Sequence, residues 1–184
     1  MATKGKSLWK FGTREVVFAA IGAALYGAFA WATNVLQIPA AANVSIRPGV
    51  VIPMFFGVAF GPIVGFITGF LGNFLSDWFS GYGFWPWWDL GNGLMGLIPG
   101  LVVNQMTTYR AAKDLILAEV VALAGIVVGM GVAAISEMWV SGMGFLAAMT
   151  ANFVPAFISN TINGLILLPL LMLAYSAIVK RSGR

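Results

Sequence analysis

The sequence contains no cysteine and no histidine, and only 9% of its 184 residues are charged. Without cysteine the chain has no disulfide, no thiol nucleophile and no thiolate metal site. Without histidine it lacks the most frequent general base and the most frequent metal ligand. These absences argue against an enzyme, and they predict neither a bound metal nor a cofactor.

Apolar residues make up 60% of the chain, and the mean hydropathy is +0.91, whereas soluble domains are roughly 45–50% apolar. A helix needs about 20 residues to cross roughly 30 Å of hydrocarbon, so this length allows about five to seven spans and no separate soluble domain. The composition predicts a single transmembrane domain over residues 1–184, surrounded by membrane lipid.

The net charge of +4 reflects membrane topology rather than nucleic-acid binding, because the basic residues are clustered. They lie before the first apolar run (Lys4, Lys6, Lys10, Arg14), at mid-chain (Arg110, Lys113) and at the end (Lys180, Arg181, Arg184). Short cytoplasmic segments of membrane proteins are rich in Lys and Arg, so all three clusters are predicted to be cytoplasmic. An even number of spans must then separate them.

Apolar runs and turn residues divide the chain into six predicted spans, at about 15–36, 50–60, 63–80, 89–104, 115–138 and 145–179. Gly61 and Pro62 break the chain between the second and third spans, and Pro155 or Pro169 predicts a kink or break in the sixth. The predicted fold class is an all-α integral membrane protein, a bundle of six transmembrane helices with both termini in the cytoplasm.

An export signal is the alternative for the first apolar run, because Ala30-Trp31-Ala32 resembles a cleavage site. The run is long for a signal peptide. Its removal would also leave an odd number of spans, which conflicts with the basic clusters.

The first span carries small residues four positions apart, Ala19 with Ala23 and Ala20 with Ala24. Small residues at this spacing let another helix approach closely in lipid. Packing within this chain and docking of a partner subunit are both open interpretations. Five glycines between residues 57 and 72, at spacings of three and four, similarly predict close packing of a helix pair.

The segment FGPIVGFITGFLGNFLSDW, residues 60–78, resembles the substrate-binding S components of energy-coupling factor (ECF) vitamin transporters. The alanine-rich first helix is similar to that family's motif for docking on the coupling subunit. The last helix, NFVPAFISNTINGLILLPLLMLAY, resembles that of the riboflavin-type branch. The resemblance extends from about Arg14 to Tyr175.

This resemblance implies a six-helix bundle in the plasma membrane of a prokaryote, with a vitamin or vitamin precursor bound near the outer face. It also implies three partner chains, a transmembrane coupling subunit and two ATPases, which together drive the ligand inward. The sequence agrees with this division of labour, because it contains no phosphate-binding Gly-x-x-x-x-Gly-Lys-Ser/Thr loop.

An aromatic segment, SGYGFWPWWDLGN at residues 80–92, lies between the third and fourth spans. The candidate ligand contacts in it are Tyr82, Trp85, Trp87, Trp88, Asp89 and Asn92. Aromatic faces stack on heterocycles and attract cations, but Trp and Tyr also form interfacial belts. Asp89 is expected at the start of the fourth helix, where the alternative to a ligand contact is a helix N-cap.

The remaining candidate ligand contacts are Arg47 in the first outer loop, Glu137 and Trp139 at the outer end of the fifth span, and Asn152 in the sixth. Acids at membrane depth are usually functional. The alternatives are lipid phosphates for Arg47, solvation for Glu137 and hydrogen bonding within the bundle for Asn152. Asn73 and Asp77 are interpreted as structural or lining. Asp114 and Glu119 are interpreted as partners of Lys113 or Arg110, or as contacts of the partner complex.

Several tryptophans and two carboxylates suit a flat heterocycle that carries positive charge, so thiamine or its hydroxymethylpyrimidine precursor is predicted first and riboflavin second. An anionic vitamin is disfavoured, because Arg47 is the one cation expected near the pocket. The alternative function is a membrane assembly or structural subunit without a small ligand, whose aromatic segment is only an interfacial belt.

Overall fold

The computed structural model describes residues 7–36 and 46–181 of the chain. Its helices are α1 (Thr13–Thr33), α2 (Val51–Phe60), α3 (Pro62–Phe79), α4 (Pro86–Gly100), α5 (Ala112–Val140), α6 (Phe145–Ala148) and α7 (Val154–Arg181). A short 3-10 helix precedes α2, a second follows α4, and a π-helical turn joins α6 to α7. Lys4, Lys6 and Arg184 of the basic clusters lie outside the described residues.

Three helical runs in the described residues are long and apolar enough to cross a membrane: Thr13–Thr33, Ala112–Val140 and Phe145–Lys180. The helix Pro48–Phe60 is apolar but shorter. The chain is therefore an all-helical membrane protein. The number of six spans, the extent of the single domain and the cytoplasmic position of the termini stay predictions.

Helix α4 begins three residues earlier than predicted, because Pro86 occupies its first turn, where a missing N–H costs nothing. The aromatic segment is thereby divided. Trp85 is the N-cap and ends the loop, whereas Trp87 and Trp88 lie on the helix. Asp89 falls inside α4 rather than at its start, so the N-cap interpretation of this residue is wrong.

The run from residue 145 to 181 changes its helical pitch just before Pro155. Met149–Phe153 form a π-helical turn, because a proline has no N–H to donate to the preceding turn. Pro169 lies within α7 and does not interrupt it. The predicted irregularity is therefore at Pro155, and it places Asn152 in the π-helical turn.

Glycines bring α2, α3 and α4 into backbone contact. A Cβ atom added to Gly65 would overlap the carbonyl group of Gly96 and the Cα atom of Gly57. Gly91 and Gly129 form an equivalent close contact between α4 and α5. Such approaches maximise van der Waals packing where lipid provides no hydrophobic drive. The packing interpretation is confirmed for Gly57, Gly65, Gly69 and Gly72. Gly61 instead forms the junction of α2 and α3, with a φ of 109° that favours glycine.

The small residues of α1 point in two directions. Ala19 and Ala23 are 2% and 4% exposed and pack inside this chain, whereas Ala20 and Ala24 are exposed. The carbonyl oxygen of Ala23 lies close to Gly72 of α3. The intramolecular interpretation therefore holds for Ala19 and Ala23, and only the other pair is accessible to a partner.

Asp114 closes the connection between α4 and α5 through backbone hydrogen bonds. Its Oδ2 accepts the N–H groups of Thr107, Thr108 and Tyr109 at 3.1, 2.7 and 3.0 Å. Among the described residues no carboxylate forms an ion pair with Lys113 or Arg110. The predicted pairing of Asp114 and Glu119 with these cations is wrong. The loop's own amides satisfy Asp114 instead, and Oε1 of Glu119 is buried without a hydrogen bond.

Candidate functional site

A cavity of about 360 Å³ opens at the end of the bundle where α3 and α5 finish and α4 begins. This volume lies within the range of roughly 300–1,000 Å³ that small-molecule sites occupy. Predicted site residues that line it are Arg47, Tyr82, Trp85, Trp88, Asn92, Glu137 and Asn152. They come from five parts of the chain, namely the segment before α2, the loop between α3 and α4, α4, α5 and the π-helical turn, and the packing of the helices brings them together.

Trp88 and Glu137 form the centre of the lining. The indole Nε1 of Trp88 donates to Oε1 of Glu137 at 2.7 Å, from α4 to α5. Ser141 donates its hydroxyl to the other carboxylate oxygen of Glu137. Both partners of this acid are neutral, and the side chain is only 7% exposed. Glu137 is thus held in place by neutral donors, and among the described residues it forms no ion pair.

Asn92 is held from both sides. The hydroxyl of the fully buried Tyr26 donates to its Oδ1 at 2.6 Å, and its own Nδ2 donates to the carbonyl oxygen of Trp88 at 2.9 Å. The amide plane therefore has one orientation, with a second N–H left for another acceptor. Tyr26 lies in the first span, and no sequence signal paired it with the fourth.

Arg47 binds to α3 inside the protein. Its guanidinium donates to Oδ1 of Asn73 at 2.8 Å and forms an ion pair with Asp77 at 3.5 Å. Asn73 in turn donates to Asp77 at 2.9 Å and to Asp89 at 2.8 Å. The lipid-phosphate interpretation of Arg47 is therefore wrong. Asn43 and Ser45, the polar residues that precede Arg47 in the sequence, lie outside the described residues.

Two amides on the last helical run have only weak partners. Asn152 donates to the sulfur of Met143 at 3.6 Å, and Asn160 to the sulfur of Met95 at 3.5 Å. A thioether is a weak acceptor, and both asparagines line the cavity. A ligand that offers a carbonyl oxygen or ring nitrogen would therefore be a better partner for either amide.

Trp87, Trp139 and Asp89 do not line the cavity. The two indoles contact each other edge to face, with their centroids 5.4 Å apart, and are 38% and 58% exposed. Their position favours the interfacial-belt alternative. Asp89 is fully buried behind Asn73. The prediction that these three residues contact a ligand therefore has no support from the lining of the cavity.

Seven further residues line the cavity. Asp77 is interpreted from the sequence as structural or lining, and the other six were not among the predicted ligand contacts. The seven are Val50, Asp77, Met130, Ser141, Met143, Ala156 and Asn160. Spacing signals two of them: Asp77 follows Asn73 by four residues, and Ser141 follows Glu137 by four, so each pair shares a helix face. The methionines give no such signal, because apolar side chains occupy every face of these helices.

Comparison with known proteins gives a consistent family assignment. Residues 10–177 match the family described as ECF-type riboflavin transporter, S component. The chain belongs to this family. A UPF0397 protein of Vibrio atlanticus is 35% identical over 127 residues, which are 66% of this chain and 68% of the relative. A UPF0397 protein of Vibrio vulnificus strain YJ016 is 42% identical over the same shares.

The family assignment gives the cavity its general role. S components are membrane-embedded, substrate-binding subunits of transporters, and the family is not one of enzymes. The described residues also contain no group of three or more His, Cys, Asp or Glu side chains that could hold a metal ion. This S component is thus a bacterial-type transport protein whose cavity is the candidate substrate site.

Proposed function

We propose that this S component captures a flat heterocyclic vitamin or vitamin precursor in the cavity, at the outer face of the plasma membrane. A transmembrane coupling subunit and two ATPases then drive its delivery to the cytoplasm. The observation that carries the proposal is the grouping of Trp88, Glu137 and three amides around one cavity. An aromatic face, a fixed charge and amide edges are together what recognises a polar heterocycle.

The charges of the lining favour a cationic ligand. Arg47 and Asp77 neutralise each other through their ion pair, whereas Glu137 has only neutral hydrogen-bond donors. A positive charge bound beside Glu137 would also face the neighbouring Trp88 ring. Thiamine, whose thiazolium ring carries a permanent positive charge, is therefore the first candidate, together with its precursor hydroxymethylpyrimidine, which is charged only when its ring is protonated. Riboflavin, which is neutral and flat, is the second, and the name of the family supports it.

The direct test is native mass spectrometry of the protein purified gently from its own host. A co-purifying vitamin, confirmed by quenching of the tryptophan fluorescence, would establish the ligand. An empty protein that responds to none of thiamine, hydroxymethylpyrimidine, riboflavin, biotin and pantothenate would contradict the proposal. It would favour the alternative, an assembly subunit without a small ligand.

Exchange of Glu137 for glutamine separates the two candidate ligands. Glu137→Gln keeps an oxygen that accepts from Trp88 but removes the negative charge. We expect the affinity for a cationic ligand to fall by about thirtyfold or more, since a hydrogen bond to a charged group contributes roughly 1.5–3 kcal/mol. Affinity for neutral riboflavin should change less than about threefold. Calorimetric titration of both ligands measures the two effects, and equal losses would refute the charge argument.

The exposed alanines of α1 are proposed as the face that contacts the coupling subunit. We expect Ala24→Trp to abolish co-purification with that subunit while leaving vitamin binding unchanged, because bulk there prevents close helix approach. Ile162→Trp, on an exposed position of α7, is the matched control and should assemble normally. Ala23→Trp points into the protein, so it should instead lower stability and ligand binding together. Normal assembly of Ala24→Trp would locate the docking face elsewhere.

A further inference from the structure

A second cavity, of about 220 Å³, lies at the opposite end of the bundle from the substrate cavity. It is enclosed by the segment before α1, the junction of α2 and α3, and the connection between α4 and α5. Its polar lining includes Ser7, Lys10, Arg14, Glu15, Asn104 and Tyr109. The transport function proposed above uses none of these side chains.

The charges at this cavity are unbalanced toward the positive. Among the described residues, neither Lys10 nor Arg14 has a carboxylate within ion-pair distance. Glu15, the one acid in the lining, accepts the backbone N–H of Gly12 at 2.9 Å. Burial, followed by the neighbouring Tyr175 and Asp114, raises the pKa of Tyr109 to about 12, so this hydroxyl adds no negative charge.

Lys10 and Arg14 are exposed cations at the mouth of this cavity, and two features favour an anion between them. The guanidinium of Arg14 lies 5.2 Å from the centre of the Phe18 ring, which restricts its position. Gly61 lines the same cavity and is the N-cap of α3, so the positive end of an 18-residue helix also faces the cavity. Phosphate oxygens are the anions that such groups bind most readily.

Exposed aromatic side chains identify the source of the phosphate. Trp9 and Phe11, on either side of Lys10, are 58% and 43% exposed. Tryptophan is enriched at the level of the lipid headgroups, and basic pockets between helices on the cytoplasmic side bind anionic headgroups. We infer that this cavity binds the phosphate of an anionic phospholipid of the inner leaflet, with Lys10 and Arg14 as its ligands.

The test is a titration of the purified protein with short-chain phosphatidylglycerol, followed by native mass spectrometry. We expect one tightly bound lipid. Lys10→Gln/Arg14→Gln should weaken its affinity by roughly thirtyfold, since each basic residue near an anionic headgroup contributes about fivefold and the two factors multiply. Arg110→Gln/Lys113→Gln removes two exposed cations that do not line the cavity and should bind as the wild type. Lys10→Arg/Arg14→Lys keeps the charge and should retain the lipid.

Several outcomes would overturn the inference. Equal binding of phosphatidylcholine would show that the site does not distinguish an anionic headgroup from a zwitterionic one. Displacement of the lipid by millimolar inorganic phosphate would assign the site to a free anion. If the glutamine variant keeps its lipid but fails to assemble with the coupling subunit and ATPases, the surface belongs to a protein partner. If that double variant does not fold, the single variants Lys10→Gln and Arg14→Gln replace it, together with the salt dependence of lipid binding by the wild type. Lipid binding that is unchanged in both single variants and at high salt would refute the site. The readout needs no vitamin, so it is independent of the proposed substrate.

Discussion

Trp88→Ala is expected to reduce the affinity for the transported vitamin by about a hundredfold. The exchange removes the aromatic face of the cavity, which contributes on the order of 0.5–2 kcal/mol to a stacked or cationic ligand. It also removes the indole N–H that donates to Oε1 of Glu137 at 2.7 Å. The carboxylate is then no longer held in position, which weakens a charge-assisted contact with the ligand worth roughly 1.5–3 kcal/mol. Calorimetric titration with the vitamin found on the purified protein measures the loss.

Trp87→Ala is the matched control for this prediction. Trp87 is the neighbouring residue on the same helical turn, but it contacts Trp139 outside the cavity. We expect its removal to change the affinity by less than about threefold. Equal losses in the two variants would mean that the aromatic segment acts as a whole, for example as a membrane anchor, and would contradict the assignment of Trp88 to the site.

Gly65→Ala is expected to prevent normal folding. The added Cβ atom would overlap the backbone of both α2 and α4, at Gly57 and Gly96. Overpacking typically costs about 1–3 kcal/mol when neighbouring side chains can move aside. Here the overlap is with backbone atoms, so it can be relieved only by moving whole helices apart, which costs more. We expect a sharp loss of monodisperse protein in fluorescence-detected size-exclusion chromatography, and a melting temperature at least about 10 °C lower for any protein that remains.

Gly131→Ala provides the control within the same class of exchange. Gly131 lies within α5, and a Cβ atom there would meet nothing within 4 Å. Alanine is favoured over glycine in a helix by roughly 0.5–1 kcal/mol, so this variant should melt at the wild-type temperature or slightly above it. A normal melting temperature for Gly65→Ala would mean that the three helices separate more easily than their backbone contact implies.

Much of the site could be predicted from residue type and position. Trp88, Asn92, Glu137 and Asn152 line the cavity, and each stands out in the sequence as a polar or aromatic residue near the end of an apolar run. Trp87 and Trp88 are chemically identical neighbours, however. Their opposite environments follow from the start of α4 at Pro86, which fixes the direction in which each side chain points.

The partners of these residues could not be predicted. Asn92 is oriented by Tyr26, 66 residues away, and Arg47 is held by Asn73 and Asp77 rather than by lipid. Hydrogen bonds between distant helices depend on how those helices are rotated about their axes. Hydrophobic periodicity usually reveals this rotation, but in lipid both the inner and the outer faces of a helix are apolar, so the periodic signal is weak.

The sequence by itself determined that this chain is a helical membrane protein without cysteine or histidine chemistry. A chain this apolar folds in lipid, where its backbone hydrogen bonds must be satisfied within helices. The sequence motifs also determined the family. Only the tertiary structure decided which alanines of α1 are accessible, which tryptophans line the cavity, and that Arg47 and Asp77 form an ion pair. Those properties depend on how the helices are rotated against one another, and close backbone contacts such as those of Gly57, Gly65 and Gly96 between α2, α3 and α4 restrict that rotation.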